Sequence, residues 1–230
     1  MNCQIVHDAL HKRAGWTNPY LLCVNDEIAG YAAVAVGGPW AKQAAIFEYY
    51  LLPSFNRFAF QLFEALLTST KSAIIEVQSQ NKLLVTMMHT YAHQVESERI
   101  LFEDGVTTNW IREDLQFGVP EGKGSLSVLN QKGERQLEWE IRKEGQTIGK
   151  GGIGYHYNHP YGDLYMEVDA GFRKQGIGTY LVQELKRVCY LQGGIPGARC
   201  RPDNIASRRT LMKAGFRPCG HILVGELVKN

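Results

Sequence analysis

One short stretch decides the fold of this chain: Arg173-Lys174-Gln175-Gly176-Ile177-Gly178. An apolar run from Leu164 to Val168 precedes it, and an amphipathic segment from Ile177 to Leu191 follows it. This order predicts a strand, a tight glycine turn and a helix. Because glycine has no Cβ atom, the turn amides and the N-terminus of the helix can approach an anion closely. The stretch therefore predicts a site for a pyrophosphate, with Arg173 and Lys174 adding positive charge at its mouth.

A second pattern lies further along the chain and strengthens this interpretation. It reads Asn204-Ile205-Ala206-Ser207-Arg208-Arg209-Thr210-Leu211-Met212-Lys213-Ala214-Gly215-Phe216, an asparagine followed by a helical segment that ends in Gly-Phe. A strand is predicted between the two patterns, from Ala198 to Arg201. Together the patterns resemble motifs A and B of the GNAT superfamily of N-acyltransferases, over residues 145 to 228. The resemblance implies that the chain binds acetyl-coenzyme A as its acyl donor.

The resemblance also implies which residues contact the donor. In the family the pantetheine arm lies along the edge of the strand before the turn, so the backbone of Met166 and Val168 would hydrogen-bond it. Asn204 and Arg208 would touch the pantetheine and the nucleotide end. The pyrophosphate would be held by the basic side chains and backbone amides of the turn, which are Arg173, Lys174, Gln175, Gly176, Ile177, Gly178 and Thr179.

The sequence leaves the catalytic base open. Many GNAT members have a tyrosine in the motif B helix that protonates the leaving thiolate, and this chain has Leu211 there. Some members have a glutamate base on the preceding strand, and this chain has Arg199 there. A base that acts through water, or no base at all, fits the sequence as well as any one side chain. The candidate bases lie on or beside the predicted strands, and they are Glu167, Asp163 and His156.

The composition is that of a globular protein and narrows the classes of partner. The chain has 230 residues, of which 44% are apolar and 21% charged, and a formal net charge of +2. So small a net charge argues against nucleic-acid binding, and no apolar run approaches the length that a spanning helix needs. The five cysteines are scattered and form no Cys-x-x-Cys pair, which favours reduced thiols. We therefore expect a cytoplasmic protein with no metal, nucleic-acid or membrane partner.

A weak internal repeat suggests two GNAT-like halves. Residues 26–36 resemble residues 145–155, and residues 46–91 resemble residues 164–214 in their order of strand, turn and helix. Each copy is expected to close with a strand of its own, and these strands are Arg99 to Glu103 and His221 to Val228. The boundary is expected in the glycine-bearing segment from Glu113 to Ser125.

The alternation of strands and helices predicts an α/β fold with a mixed sheet and helices on its faces. The resemblance implies that the sheet in each half is mostly antiparallel. We expect a degenerate GNAT-like half at residues 1–115 and an acetyl-coenzyme A-binding GNAT domain at residues 122–230. A single domain with a long N-terminal elaboration is the alternative.

The first half lacks the residues that make the glycine turn a phosphate site. The positions of Arg173, Gly176 and Gly178 are taken in the first half by Asn56, Ala59 and Gln61. The arginine is therefore lost, and both glycines are replaced by residues with side chains. Aromatic residues also crowd the turn, namely Phe55, Phe58 and Phe60. The N-terminal half is therefore not expected to bind coenzyme A in the same manner. The counterpart of Arg199 in this half is Glu76.

The resemblance implies transfer of an acetyl group from acetyl-coenzyme A to an amine by direct attack. The amine belongs to a small molecule or a peptide, and its identity is not readable from the sequence. A non-catalytic acyl-coenzyme A binder, used as a sensor or structural protein, is the alternative. Another donor, such as succinyl-coenzyme A, is a third option. The sequence leaves both a monomer and a homodimer open.

Overall fold

The computed structural model describes residues 7–120, 128–129 and 135–228. The helices are α1 (His7–His11), α2 (Ala59–Ser69), α3 (Lys82–Tyr91), α4 (Ile177–Leu191) and α5 (Ile205–Lys213). The strands are β1 (Thr17–Val24), β2 (Glu27–Ala35), β3 (Ala45–Leu51), β4 (Ile74–Gln78), β5 (Ala92–Asp104), β6 (Gln116–Gly118), β7 (Val128–Leu129), β8 (Arg135–Lys143), β9 (Gln146–Gly154), β10 (Tyr161–Val168), β11 (Ile195–Cys200) and β12 (Phe216–Leu227). Short 3-10 helices occupy Gly38–Trp40, Pro53–Phe58 and Ala170–Phe172.

Residue contacts group the chain into two compact units. The C-terminal unit contains residues 100–219, and the N-terminal unit contains residues 7–99 together with the segment from Gly220 onward. The expectation that each copy closes with its own strand is wrong. In the structure β5 pairs with β11, with Ile100 opposite Cys200 and Glu103 opposite Gly197, and residues 222–226 of β12 pair with β4. Each unit therefore contains a strand from the other half of the sequence. The domain ranges 1–115 and 122–230 stay a prediction.

The C-terminal unit has the strand order β5-β11-β10-β9-β8-β6, and β7 also pairs with β8. The pair β10–β11 is parallel, and its neighbours pair antiparallel. The helix α4 packs on one face of this sheet through side chains spaced four residues apart, Ile177, Leu181 and Leu185. Full burial of each such side chain contributes about 1.5–3 kcal/mol. The register sets a matching apolar row on the sheet, formed by Leu137, Ile153 and Leu164.

A buried lysine fastens the segment after β5 to the two helices of this unit. Lys186 of α4 is only 4% exposed. Its Nζ atom donates to the carbonyl oxygens of Val106 and Ala214, at 2.8 Å each, and lies 2.5 Å from a carboxylate oxygen of Asp104. Two carbonyl acceptors and an opposite charge thus surround the ammonium group, as a buried cation requires. Residues 105–115, which we call the strap, are thereby held against α4 and the end of α5.

The N-terminal unit has the strand order β1-β2-β3-β4-β12, with β3 and β4 parallel and the other pairs antiparallel. Its main core lies between this sheet and the helices α2 and α3. The largest buried side chains there are Phe63, Ile46, Ile75, Leu84, Met87 and Met88. The predicted fold class is thus confirmed in both units, since each is a mixed, mostly antiparallel sheet flanked by helices.

The internal repeat is visible in equivalent elements of the two units. The strands β2 and β9 have the same succession of exposed and buried residues along nine positions. The helices α3 and α5 both begin after a capping asparagine. The side chain of Asn81 accepts a hydrogen bond from the Leu84 N–H at 3.1 Å, and that of Asn204 accepts from the Ser207 N–H at 3.0 Å. Asn204, singled out for the donor, therefore also has a structural role.

We predict that replacing either cap with alanine weakens its unit. Asn81→Ala and Asn204→Ala should each lower the free energy of unfolding by about 1 kcal/mol, because each leaves a helix N–H without its side-chain acceptor. Denaturant titration followed by circular dichroism measures both. The conservative Asn→Asp variants, which keep the acceptor oxygen, are the controls, and a cost as large as that of alanine would contradict the capping role.

Candidate functional site

The glycine turn has the backbone that its sequence predicts. Gly176 adopts a left-handed conformation, with φ of +79°, immediately before α4, and Lys174 is also left-handed, with φ of +62°. No side chain caps the start of α4. The first N–H groups of a helix have no partner within the helix, so those at the start of α4 point outward from the turn. The predicted strand, turn and helix are confirmed.

Beside this turn, β10 parts from β11. The pairing of β10 with β11 begins with Tyr161 opposite Ile195 and ends with Leu164 opposite Ala198. The pairing of β10 with β9 continues to Val168 opposite Gly149. Residues 165–168 of β10 therefore have a neighbouring strand on one side. We call the other side of these four residues the open edge.

The backbone of Met166 faces the open edge. A Cβ atom added at Gly151 would lie 2.5 Å from the Tyr165 carbonyl oxygen, and one at Gly149 would lie 3.1 Å from that of Glu167. Both carbonyls thus point toward β9. Because backbone groups alternate in direction along a strand, the N–H and C=O of Met166 point the other way. The carbonyl of Val168 also points away from β9, and it accepts a hydrogen bond from Arg173 Nε at 2.9 Å.

A cavity of about 800 Å³ opens on the glycine turn, the open edge and α5. Nine of the eleven residues predicted to contact the donor line it, and they are Met166, Val168, Arg173, Lys174, Gly176, Ile177, Gly178, Thr179 and Asn204. Gln175 and Arg208 are absent from this lining. The lining also includes Arg209, and residues that the sequence reasoning did not single out, which are Phe172, Ile205, Ala206, Ser207, Thr210 and Lys213.

The charge of this lining is positive. Four basic side chains line the cavity, against a single carboxylate, that of Glu167. The basic residues are Arg173, Lys174, Arg209 and Lys213. Together with the outward N–H groups of α4, they make the cavity suited to an anionic ligand.

The sequence and fold were compared with known proteins. Residues 106–216 match the family model described as the acetyltransferase (GNAT) family. The chain therefore contains a GNAT domain over these residues. None of the curated proteins matches the chain.

Solved GNAT structures are similar to the chain over most of its length. One is an acetyltransferase from the GNAT family of Colwellia psychrerythraea, with TM-score 0.69, 18% identity, and coverage of 91% of this chain and 85% of that chain. A tandem GNAT protein from the clavulanic acid biosynthesis pathway has TM-score 0.63, 12% identity, and coverage of 96% and 87%. A GCN5-related N-acetyltransferase from Sphaerobacter thermophilus has TM-score 0.60, 13% identity, and coverage of 97% and 84%. At these identities the likeness concerns the fold.

Sequence reasoning missed Arg112, a residue of the strap that holds the glycine turn of this GNAT domain. Its Nη1 atom donates to the carbonyl oxygen of Gln175 at 2.8 Å. Its Nε and Nη2 atoms bind the two carboxylate oxygens of Asp114, at 2.9 Å each. Hydrogen bonds from Arg112 and then Lys143 hold the pKa of Asp114 well below its usual range. The strap has no apolar periodicity, and Arg112 and Gln175 are 63 positions apart in the sequence. No local sequence pattern therefore predicts their contact.

Two of the three candidate bases lie together. His156 Nε2 is 3.1 Å from a carboxylate oxygen of Asp163, and Arg199 Nε is 3.4 Å from the same oxygen. Glu167 is exposed and lies apart from them, beside the glycine turn. Leu211, at the family's tyrosine position, is buried in the core under α4.

The N-terminal unit has no comparable turn among its described residues. The 3-10 helix Pro53–Phe58 follows β3, and Phe58 precedes α2 with φ of −98°. Tyr49 is buried and donates its hydroxyl to the carbonyl of Ala59 at 2.6 Å, which fills the space beside the start of α2. Glu76 accepts a hydrogen bond from Trp40 Nε1 at 2.9 Å. The glutamate of this unit is thus bound to a tryptophan.

Within residues 7–120, 128–129 and 135–228, no three His, Cys, Asp or Glu side chains are grouped as a metal ion would require. In the same residues, none of the helices combines the length and the hydropathy needed to traverse a bilayer.

We predict that Arg112→Ala loosens the glycine turn. Loss of a hydrogen bond from a charged donor should speed hydrogen exchange at the amides of residues 175–178 by about tenfold, the equivalent of about 1.4 kcal/mol. Exchange followed by mass spectrometry measures this. Arg187→Ala is the matched control, because Arg187 binds Glu184 within its own helix. Equal exchange in the two variants would show that Arg112 does not hold the turn.

Proposed function

We propose that this chain transfers an acetyl group from acetyl-coenzyme A to an amine of a small molecule or peptide. One observation carries the proposal: the open edge of β10, the uncapped start of α4 and four basic side chains meet in one cavity. A pyrophosphate is bound by backbone N–H groups and positive charge, and an amide-bearing arm pairs with an unpaired strand edge. The volume, about 800 Å³, is within the range of ligand cavities, about 300–1,000 Å³.

The proposed placement of the donor follows from these groups. The amides of residues 175–179 would bind the pyrophosphate, with Arg173 and Lys174 beside it. Met166 would hydrogen-bond the pantetheine arm through its N–H and C=O. Val168 would offer its N–H alone, because its carbonyl is bound by Arg173. Asn204, which lines the cavity, would lie near the same arm.

The nucleotide end would lie toward α5. Arg209 and Lys213 line the cavity there, so we assign to them the attraction for the remaining phosphate charge. Arg208 stays a prediction from the family motif.

Acetyl-coenzyme A would supply an acetyl group activated as a thioester. The open edge would hold this group in one orientation, which turns the attack of a bound amine into a nearly intramolecular step. A backbone N–H of the edge would stabilise the charge that develops on the carbonyl oxygen. We also propose a cytoplasmic location, because the five cysteines are scattered in the sequence and form no Cys-x-x-Cys pair.

A non-catalytic donor-binding protein is the second candidate function. Two observations favour it: Arg199 occupies the glutamate position, and Leu211 is buried at the tyrosine position. Coenzyme A release in the presence of amines separates the two functions, because a sensor would bind acetyl-coenzyme A and leave the thioester intact.

We predict one donor site per chain. Isothermal titration of the protein with acetyl-coenzyme A should give a stoichiometry of one, because Phe58 and Tyr49 fill the corresponding place in the N-terminal unit. A stoichiometry of two would contradict the loss of the site in that unit.

We also predict that Gly176→Glu abolishes the binding of acetyl-coenzyme A and leaves the protein folded. A carboxylate at this position would occupy the phosphate site and repel the anion. Because Gly176 is left-handed, any side chain there costs about 1 kcal/mol in backbone strain. Gly176→Ala carries this strain without the charge and is the control for it. Calorimetric affinity and a thermal melt measure both effects, and an unchanged affinity in Gly176→Glu would refute the turn as the phosphate site.

A further inference from the structure

The point where β10 and β11 part lies at the far end of the open edge from the glycine turn. Their last pair is Leu164–Ala198, and residues 165–168 run from there to the turn. If the donor lies as we propose, its phosphates are at the turn and its arm follows the edge. The thioester is then at the closed end, beside Leu164. The inference below rests on this proposed function.

Three polar side chains surround that closed end, and we call them the apex cluster: His156, Asp163 and Arg199. Leu164 and Ala198 belong to the core under α4. Since side chains alternate along a strand, Asp163 and Arg199 project from the opposite face of the sheet. This face is the one from which an acceptor could reach the thioester without displacing α4.

The cluster is compact and largely shielded from water. The side chains of His156 and Asp163 are 18% and 12% exposed. His156 Nε2 lies 3.1 Å from Asp163 Oδ2 and 3.2 Å from Arg199 Nη2, and Arg199 Nε lies 3.4 Å from Asp163 Oδ2. Tyr157 lies beneath, with its ring 5.0 Å from that of His156, and burial raises the pKa of its hydroxyl well above the usual range.

The neighbours of His156 determine where its proton lies. A proton on Nε2 donates to the carboxylate of Asp163. The other tautomer would set the lone pair of Nε2 against this carboxylate. Arg199 can only donate, so with a proton on Nε2 its guanidinium binds Asp163 and not the ring. In this tautomer Nδ1 is the acceptor.

A glycine leaves room for the imidazole ring. The imidazole lies over Gly154, and a Cβ atom added there would come within 2.8 Å of Nδ1 and 3.0 Å of Cε1. Among the described residues, Nδ1 has no recorded hydrogen-bond partner. A base needs this combination of a fixed tautomer and an unoccupied acceptor nitrogen.

Glu167 does not fit the same role. It lies four residues beyond Asp163 along β10, about 13 Å at 3.3 Å per residue, and so beside the phosphate end of the edge. It is exposed, and the register sets it across from Lys150, an opposite charge on β9.

We infer that His156 is the general base of the acetyl transfer, with Asp163 and Arg199 as positioning residues. As the amine nitrogen bonds to the thioester carbon, its proton passes to Nδ1 of His156. The carbon–sulfur bond breaks, and the electron pair leaves with sulfur. The proton then passes from His156 through solvent to the thiolate, so that one amide and one coenzyme A thiol are formed and the imidazole is neutral again. Asp163 stabilises the charge that the ring gains in between.

The test compares His156→Gln with wild type. Coenzyme A release from acetyl-coenzyme A is followed with a thiol reagent across a panel of alkyl amines, polyamines, amino acids and lysine peptides. With the best acceptor, His156→Gln should lower kcat by about 100-fold or more, as removal of a general base does, with the calorimetric Kd for acetyl-coenzyme A changed less than twofold. His89→Gln, an exposed imidazole on α3, is the control and should match wild type.

The pH profile separates a base from a structural residue. In wild type, kcat/KM should fall at acid pH as the base becomes protonated, and His156→Gln should lose this acidic limb. Asp163, Arg199 and Tyr157 are the ionisable groups that face the ring. Asp163→Asn, which keeps the shape and removes the charge, should lower kcat by about tenfold with the limb retained.

Gly154→Ala is a second test of the inference, and it keeps the imidazole in the protein. The added methyl group would displace the ring, so kcat should fall with the donor affinity unchanged. A thermal melt shows whether each variant is folded. The inference would be overturned if His156→Gln turned over at the wild-type rate, or if Glu167→Gln lost turnover while His156→Gln kept it. Either result would leave the proposed function standing. A wild-type protein that binds acetyl-coenzyme A and acetylates none of the amines would overturn both.

Discussion

The site of this protein depends on one departure from regular sheet structure, the parting of β10 from β11 after Leu164 and Ala198. A strand that keeps its hydrogen bonds to β9 while losing those to β11 offers backbone donors and acceptors to a ligand without unfolding. The glycine turn lies at the end of the same strand, so the open edge and the helix N-terminus serve one cavity. Each feature alone is common, and their adjacency makes the proposed donor site.

Close packing around Gly178 supports this adjacency. A Cβ atom there would lie 3.3 Å from Thr210 of α5 and 3.4 Å from the sulfur of Met166. The start of α4 can therefore lie tightly against both α5 and the strand that carries the open edge. The strap adds a third constraint, since Arg112 binds the turn and Lys186 binds the strap. Helix, strand and strap thus fix the turn from three directions.

The two units share several structural features and differ in others. The capping asparagines and the burial pattern of β2 and β9 persist, because they support the fold. The glycine turn does not persist in the N-terminal unit, where aromatic packing takes its place. The charge at the glutamate position also differs: Glu76 binds Trp40, whereas Arg199 binds Asp163.

The sequence predicts what depends on near neighbours. The turn, α4, the cap of α5 and most of the cavity lining follow from residues within two motifs. Arg112 could not be predicted, because its partner is distant in the chain and the strap has no periodicity. His156 and Asp163 were each recognisable as candidates, but their pairing through Arg199 depends on how β9, β10 and β11 are brought together. The apolar pattern identifies the two closing strands as strands, but the sequence analysis assigns them to the wrong sheets. An apolar pattern does not specify which strand will pair with it.

That exchange of closing strands has a consequence for biosynthesis. The sheet of the N-terminal unit includes residues 222–226, which are translated after residues 100–219 of the C-terminal unit. Most of this unit emerges from the ribosome early, yet β4 lacks this neighbour until the residues of the C-terminal unit have been made as well. During that interval one edge of β4, Ile74-Ile75-Glu76-Val77, is apolar and has unpaired backbone groups. Chaperones could bind this edge until β12 pairs with it.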